Sequence, residues 1–378
     1  MKKVATASAL VACLVMGFLS FFVGASGAQE DWQQQIAQAL CKAGTSAGGV
    51  YRVGLPRTDR TGETIAEWLA AKAGPELRVR VLVDGAANLI FGVPEEGFKE
   101  DVNRVVRELA DQPYVEVIRT RHPFGQLDHR KLVVADGRLA WSGGRNFYDV
   151  GFYSEHDLCF TFEGALAGGL AADFEKFWVD QGGQPLPRTA AAATSAHHET
   201  TPPPNATARI IQTQPGSHKL AHAVYLTVDR AKHHIYLENP YLFDSRMLCK
   251  LARARRRGVD VRVVLTVATN KAIVNRANAV IANRLLRAGV RVYLYPESMH
   301  AKAATVDGLW AYVGSANFDG YSLRYVRDLG LAIGSGPVIG ELEDTLFIPD
   351  FRDDWELKAP LPTTPGDYVC ETLASLWL

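Results

Sequence analysis

Short apolar runs of strand length alternate along most of this chain with longer stretches of helical periodicity. In the first half, residues 78–84 (RVRVLVD), 115–119, 131–135, 139–142 and 158–162 predict strands, and residues 61–73 and 99–110 predict helices between them. The second half repeats this alternation, with strands at 234–238, 261–267, 290–295, 303–306, 309–313 and 329–333 and helices at 245–257 and 275–288. Such alternation predicts an α/β fold, with a mixed or parallel sheet flanked by helices in each half. Two stretches break the pattern. Residues 181–208 are rich in Gly, Ala, Thr and Pro, include Thr201-Pro202-Pro203-Pro204 and carry no apolar period, so they read as a linker. Residues 4–28 form a nearly uncharged apolar run behind Lys2 and Lys3 and end in the small residues Gly24-Ala25-Ser26-Gly27-Ala28. That is the form of an export signal, although the run is also long enough to remain as an anchor. The expected organisation is therefore 1–28 as signal peptide or anchor, 29–180 as a first lobe, 181–208 as linker and 209–378 as a second lobe. On this reading the body of the protein is exported, periplasmic or secreted.

The two halves share more than an alternation of elements. His129, Lys131, Asp136, Gly143 and Asn146 recur as His300, Lys302, Asp307, Gly314 and Asn317, always at one offset (300 − 129 = 171; 317 − 146 = 171). Asp157 and Asp328 keep the same spacing. Six polar or glycine coincidences at a single offset identify an internal duplication.

The repeated residues have a chemical logic. His and Lys two apart in an extended segment point to one face, so an imidazole and an ammonium stand side by side. Two lobes related by a pseudo-twofold axis bring both pairs to a shared cleft. Cleaving a phosphodiester requires a nucleophile, a proton donor for the leaving oxygen and neutralisation of the charge on the equatorial oxygens. One neutral imidazole can attack phosphorus while the other, protonated, releases the alcohol. Lys131 and Lys302 serve as point charges for the phosphate, with Asn146 and Asn317 as uncharged donors. Asp157 and Asp328, each eleven residues after its Asn (157 − 146 = 328 − 317 = 11), are candidates to fix the imidazole tautomers. No acidic cluster or Cys/His spacing calls for a metal, and no cofactor is expected.

The double His-x-Lys-x4-Asp-x6-Gly-[Gly/Ser]-x-Asn pattern resembles the phospholipase D superfamily, and within it the cardiolipin synthases and their bacterial phospholipase-D-like relatives. Thr58-Asp59-Arg60-Thr61-Gly62, Asn239-Pro240-Tyr241, Arg257-Gly258-Val259-Asp260-Val261-Arg262, Ser298-Met299-His300 and residues 314–322 carry the likeness further. The resemblance implies an α/β/α sandwich in each lobe, a shared active-site cleft and ping-pong transfer through a phospho-histidine without metal. It implies His129 as nucleophile and His300 as acid, with Asp136 and Asp307 tying down loops. The chain departs from the synthases at Tyr321-Ser322, where they usually carry Arg-Ser, and at Asp328, where many relatives have Glu.

Composition narrows the partners. Hydrophobic residues make up 47% and charged residues 22% of 378, a globular balance. Lys+Arg and Asp+Glu are both 41, so the net charge is zero, which argues against a broad phosphate-neutralising surface for nucleic acid. The expected partners are a phospholipid with an alcohol or water acceptor, at a membrane surface. The alternative is an exported nuclease acting on DNA or RNA. Cys41, Cys159, Cys249 and Cys370 permit two disulfides or four free thiols.

Overall fold

The structure is a computed structural model that describes residues 20–24, 49–52, 60–75, 77–85, 98–123, 126–147, 155–186, 207–269 and 271–377. Among these residues lie two seven-stranded mixed sheets. The first contains β1 (Ser20–Gly24), β2 (Gly49–Arg52), β3 (Val79–Val83), β4 (Val115–Arg119), β5 (Leu132–Ala135), β6 (Leu139–Gly143) and β7 (Asp157–Glu163). The second contains β8 (Thr207–Thr213), β9 (His234–Glu238), β10 (Asp260–Thr266), β11 (Arg291–Tyr295), β12 (Ala303–Val306), β13 (Trp310–Gly314) and β14 (Asp328–Ser335). Their orders, β4-β3-β2-β5-β6-β7-β1 and β11-β10-β9-β12-β13-β14-β8, match strand for strand. In each, three parallel strands adjoin an antiparallel meander, and an antiparallel edge strand closes the far side.

The helices are α1 (Arg60–Lys72), α2 (Phe98–Ala110), α3 (Ala165–Asp180), α4 (Lys219–Arg230), α5 (Ser245–Arg256) and α6 (Ala272–Arg287), followed by α7 (Pro337–Leu342). A π-helical turn, Glu343–Phe347, then leads into α8 (Ile348–Asp350), and α9 (Pro365–Trp377) ends the chain. Side-chain alternation along the strands decides what each face covers. Leu132, Val134, Leu158, Phe160 and Phe162 turn toward the second sheet and pack with its Ala303, Val313, Leu329, Leu331 and Ile333. Val79, Val81, Val83, Trp141 and Cys159 turn the other way, onto Ile65 and Leu69 of α1 and Val105, Val106 and Leu109 of α2. In the second lobe Ile235, Leu237, Val261, Val263 and Leu265 pack on α4, α5 and α6. The two sheets thus share one buried core, with helical layers on the outside. Full burial of each such side chain is worth about 1.5–3 kcal/mol, which makes the inter-lobe core a major source of stability.

Several elements differ from the sequence-based expectation. Helix α3 carries no clear sequence signal because Gly168 and Gly169 sit mid-helix; burial of Leu170, Phe174, Phe177 and Trp178 overrides their poor propensity. Strand β8 begins at Thr207, inside the stretch read as linker, and residues 187–206 of that stretch lie outside the described residues. Of the apolar N-terminal run, residues 20–24 form β1, paired with β7 from Ser20↔Thr161 to Gly24↔Asp157; the rest lies outside the described residues. Among the described residues no helix is long and apolar enough to cross a membrane. Cys159, Cys249 and Cys370 are free thiols, and Cys41 lies outside the described residues.

Candidate active site

Asp136 and Asp307 close the hairpins that follow the His-x-Lys segments. Both adopt positive φ, 52° and 57°, and each is followed by a glycine at 62° or 65°. With Arg138 N donating to Ala135 O at 2.9 Å, and Leu309 N to Val306 O at 3.0 Å, these are Asp-Gly turns of the type whose twist suits a two-residue hairpin. Asp307 also accepts the backbone N–H groups of Lys232, His233 and His234 at 2.7–2.9 Å, pinning the start of β9, and these bonds hold its carboxyl below the ordinary range. For Asp136, Oδ1 finds no partner among the described residues, and burial pushes the carboxyl up to about 8. The two motif aspartates therefore face away from the chemistry.

His129 and Lys131 lie in the extended segment just before β5, and His300 and Lys302 in the matching segment before β12. The imidazoles are held by carboxylates of the opposite lobe. His129 Nδ1 lies 2.9 Å from Asp328 Oδ1, and His300 Nδ1 lies 2.8 Å from Asp157 Oδ2. Both aspartates are fully buried, whereas the imidazoles keep 26% and 11% of their side-chain surface exposed. Asp328, held below the ordinary carboxylate range, only accepts, so His129 Nδ1 carries the proton and its Nε2 is left as the basic atom; Asp157 occupies His300 Nδ1 in the same way and leaves Nε2 open.

The backbone is crossed in the same way. Arg327 N donates to Leu127 O at 3.0 Å and His129 N to Arg327 O at 2.9 Å. In mirror fashion, His156 N donates to Ser298 O at 3.0 Å and His300 N to His156 O at 2.7 Å. The residue preceding each aspartate thus forms a parallel bridge with the other lobe's histidine segment.

Burial and neighbouring cations set the protonation states. His129 is pushed below its ordinary value by burial and by Lys131, against the pull of Asp328. His300 is pushed well below, by burial and then by Lys302, and Lys131 and His129 act on it from across the interface. Both imidazoles are therefore poised neutral. Burial brings Lys302 down to about 8, with Asp157 opposing. For Asp157, burial raises the carboxyl while Lys302, Arg145 and the Leu158 N–H pull the other way. Asp328 stays below the ordinary range because His129, Lys131 and Ser315 outweigh its burial. Each Lys Nζ donates to the carbonyl of its own His, Lys131 to His129 O at 2.6 Å and Lys302 to His300 O likewise. Asn317 is buried with its Oδ1 unpartnered among the described residues, and Asn146 is half-buried in the matching loop.

Sequence reasoning missed several supports. Ser315 Oγ donates to Asp328 Oδ1 at 2.7 Å, but its counterpart is Gly144, where a Cβ would lie 2.3 Å from Asp157 Oδ1. Asn239 Oδ1 accepts Phe318 N at 3.1 Å and Tyr241 N at 3.2 Å, tying β9 to the loop that carries Asn317. Two groups bring metal-ligand-type atoms within 4.8 Å of one another: Glu155, Asp157 and His300, and His156, Glu238 and Asp350. In both, one His nitrogen sits 2.8 Å from a carboxylate oxygen. That spacing suits a shared proton; ligands around a tetrahedral ion stand about 3.3 Å apart.

Comparison with known proteins shows what the chain is similar to. Residues 225–347 match the family model described as cardiolipin synthase, PLD-like domain. Cardiolipin synthase A of Klebsiella pneumoniae is 27% identical over 332 residues, covering 84% of this chain and 63% of that protein. The Cronobacter sakazakii cardiolipin synthase A is 27% identical over 298 residues, covering 75% and 60%. The chain thus spans less than two thirds of either relative's length. Among solved structures, the phosphatidylserine synthase of Haemophilus influenzae superposes with a TM-score of 0.70 at 14% identity, covering 98% of this chain and 97% of that one. Polyphosphate kinase from Porphyromonas gingivalis gives 0.59 at 11% identity, over 94% and 55%. These two likenesses concern the fold.

Proposed function

We propose that the chain is a member of the phospholipase D superfamily, to which residues 225–347 and the two cardiolipin synthases are similar, and that it is a phosphodiesterase or phosphatidyltransferase acting on phospholipids, working through a phospho-histidine. His129 is the nucleophile: its Nε2 attacks phosphorus while Asp328 holds Nδ1–H. His300, held by Asp157, passes a proton to the departing alcohol oxygen and then takes one from the incoming water or alcohol. Lys131 and Lys302 bind the phosphate oxygens, with Asn146 and Asn317 as further contacts. The phosphate's negative charge offsets the two ammonium groups and lets His300 take up its proton on binding. Two fixed cations supply the charge neutralisation for which other phosphoryl-transfer sites use a divalent ion, so the reaction is proposed to be metal-independent.

The observation that carries this reading is the reciprocal pair of His–Asp bonds across the lobes, each of which occupies Nδ1 and leaves Nε2 for the chemistry. The lipid assignment draws on the similarity to lipid synthases and on the zero net charge.

The test is to mix the full chain with phosphatidylglycerol vesicles, glycerol and EDTA and to read the lipids by mass spectrometry beside a His129→Ala control. Phosphatidic acid or cardiolipin formed only by the intact protein supports the reading. Unchanged lipids, with cleavage of single-stranded DNA or RNA instead, would replace it with the nuclease alternative.

A further inference from the structure

His156 and Arg327 precede the two site aspartates and are themselves 171 residues apart (327 − 156 = 171). They differ in identity but occupy equivalent positions, and each is anchored in the lobe it does not belong to. The His156 imidazole, 4% exposed, stacks on Tyr295 of the second lobe at 4.4 Å between centroids. Its Nε2 lies 2.8 Å from Asp350 Oδ2 and 3.4 Å from Glu238 Oε2, both also in the second lobe. The Arg327 guanidinium lies over Phe177 of the first lobe, 4.6 Å from the ring centroid.

Each of these residues also carries the backbone bonds that seat an imidazole. His156 O accepts both His300 N at 2.7 Å and Ala301 N at 3.1 Å, and Arg327 O accepts His129 N at 2.9 Å. The next residue in each case, Asp157 or Asp328, holds the Nδ1 of that same imidazole. A histidine held at both its backbone and its ring is fixed in angle as well as in tautomer. A general acid gains its rate only within hydrogen-bond reach of the leaving oxygen, so an error of about 1 Å here costs on the order of 100-fold.

We infer that His156 and Arg327 are a second duplicated pair, positioning residues that each seat the imidazole contributed by the opposite lobe: His156 for His300 and Arg327 for His129. The inference rests on the roles proposed for those two imidazoles, and it predicts that the pair fails in different ways. Loosening His300 weakens proton donation, which matters for a poor leaving group and little for a good one. Loosening His129 weakens attack on phosphorus, which matters for both.

The experiment measures kcat and KM of the full chain on diphenyl phosphate, a poor leaving group, and on bis(p-nitrophenyl) phosphate, a good one. His156→Gln is expected to lower kcat about 100-fold on the first and about tenfold or less on the second, with KM changed less than about threefold. Arg327→Met is expected to lower kcat on both by a similar factor. If His156→Gln fails to fold, Tyr295→Leu removes only its stacking partner and carries the same leaving-group pattern in weaker form. Equal losses on both diesters in the His156 and Tyr295 variants, as a merely structural role would give, would overturn the inference. So would an Arg327→Met enzyme with undiminished rates. Neither diester carries a glycerol or acyl chain, so failure of the lipid reading shows in the vesicle assay and leaves this comparison standing.

Discussion

At the scale of single residues, the two halves of the site solve one problem with different side chains. Asp328 is fixed by a hydroxyl, Ser315; Asp157 is fixed by the backbone N–H of Leu158 at 2.7 Å and by the field of Arg145, and needs the empty space at Gly144. Gly144→Ala is therefore expected to push the Asp157 carboxylate off His300. Activity should fall about 10²–10³-fold while the melting temperature shifts by only a few degrees, which kinetics beside calorimetry would check. Lys302 supplies a pH signature. Its ammonium form, the one proposed to bind phosphate, is lost as pH rises through about 8, so kcat/KM should decline on that limb. Lys302→Arg, which stays charged, should move the limb to higher pH; a profile unchanged by that substitution would assign the limb to another group. The candidate site residues were legible as a set because identical polar residues recurred at one offset. Gly144/Ser315 was legible only as a variable position of the pattern, and His156/Arg327, unlike residues at the same offset, are passed over by a search for identity.

At the scale of elements, the motif aspartates belong to hairpins. Asp307 satisfies three backbone N–H groups at the start of β9 while holding the left-handed turn between β12 and β13. Replacing it by Ala should cost about 2–3 kcal/mol, measured by urea denaturation, because three donors lose a charged acceptor and a β-carbon-only residue is poorer at positive φ. Asp307→Asn, which tolerates that backbone, should cost less. The meander strands β5–β7 and β12–β14 were readable because apolar residues fill short segments bounded by Asp-Gly. The antiparallel edge strands β1 and β8 and helix α3 were not: β8 emerges from a polar, Ala- and Pro-rich stretch, and α3 owes its helix to burial of its aromatic face rather than to propensity.

At the scale of the whole molecule, the chain cannot be divided at its midpoint without dismantling the site. Each of the two imidazoles, His129 and His300, takes its carboxylate and part of its backbone bonding from the other lobe, and the sheets bury a common core. Heating should accordingly give one transition, with calorimetric and van't Hoff enthalpies in agreement and activity lost along the same curve. Two separated transitions would contradict the shared core. Sequence alone could not reveal this crossing: the spacing of Asp157 and Asp328 from their asparagines is the same whichever imidazole each one serves.

The crossing has a consequence for how a substrate lies in the cleft. A site built from two copies of one pattern about a twofold axis is nearly palindromic, and a phosphodiester could enter it in either of two opposed directions. A perfectly symmetric site would give either histidine an equal claim to the phosphorus. Unequal pairs, among them Gly144 with Ser315, Arg145 with Ala316 and His156 with Arg327, make the two ends differ. On the proposed reaction, polarity, meaning which end of the substrate departs and which stays bound, would reside in such residues around the two imidazoles. Exchanging His156 with Arg327, while leaving the space at Gly144 empty, would be an attempt to turn the substrate around.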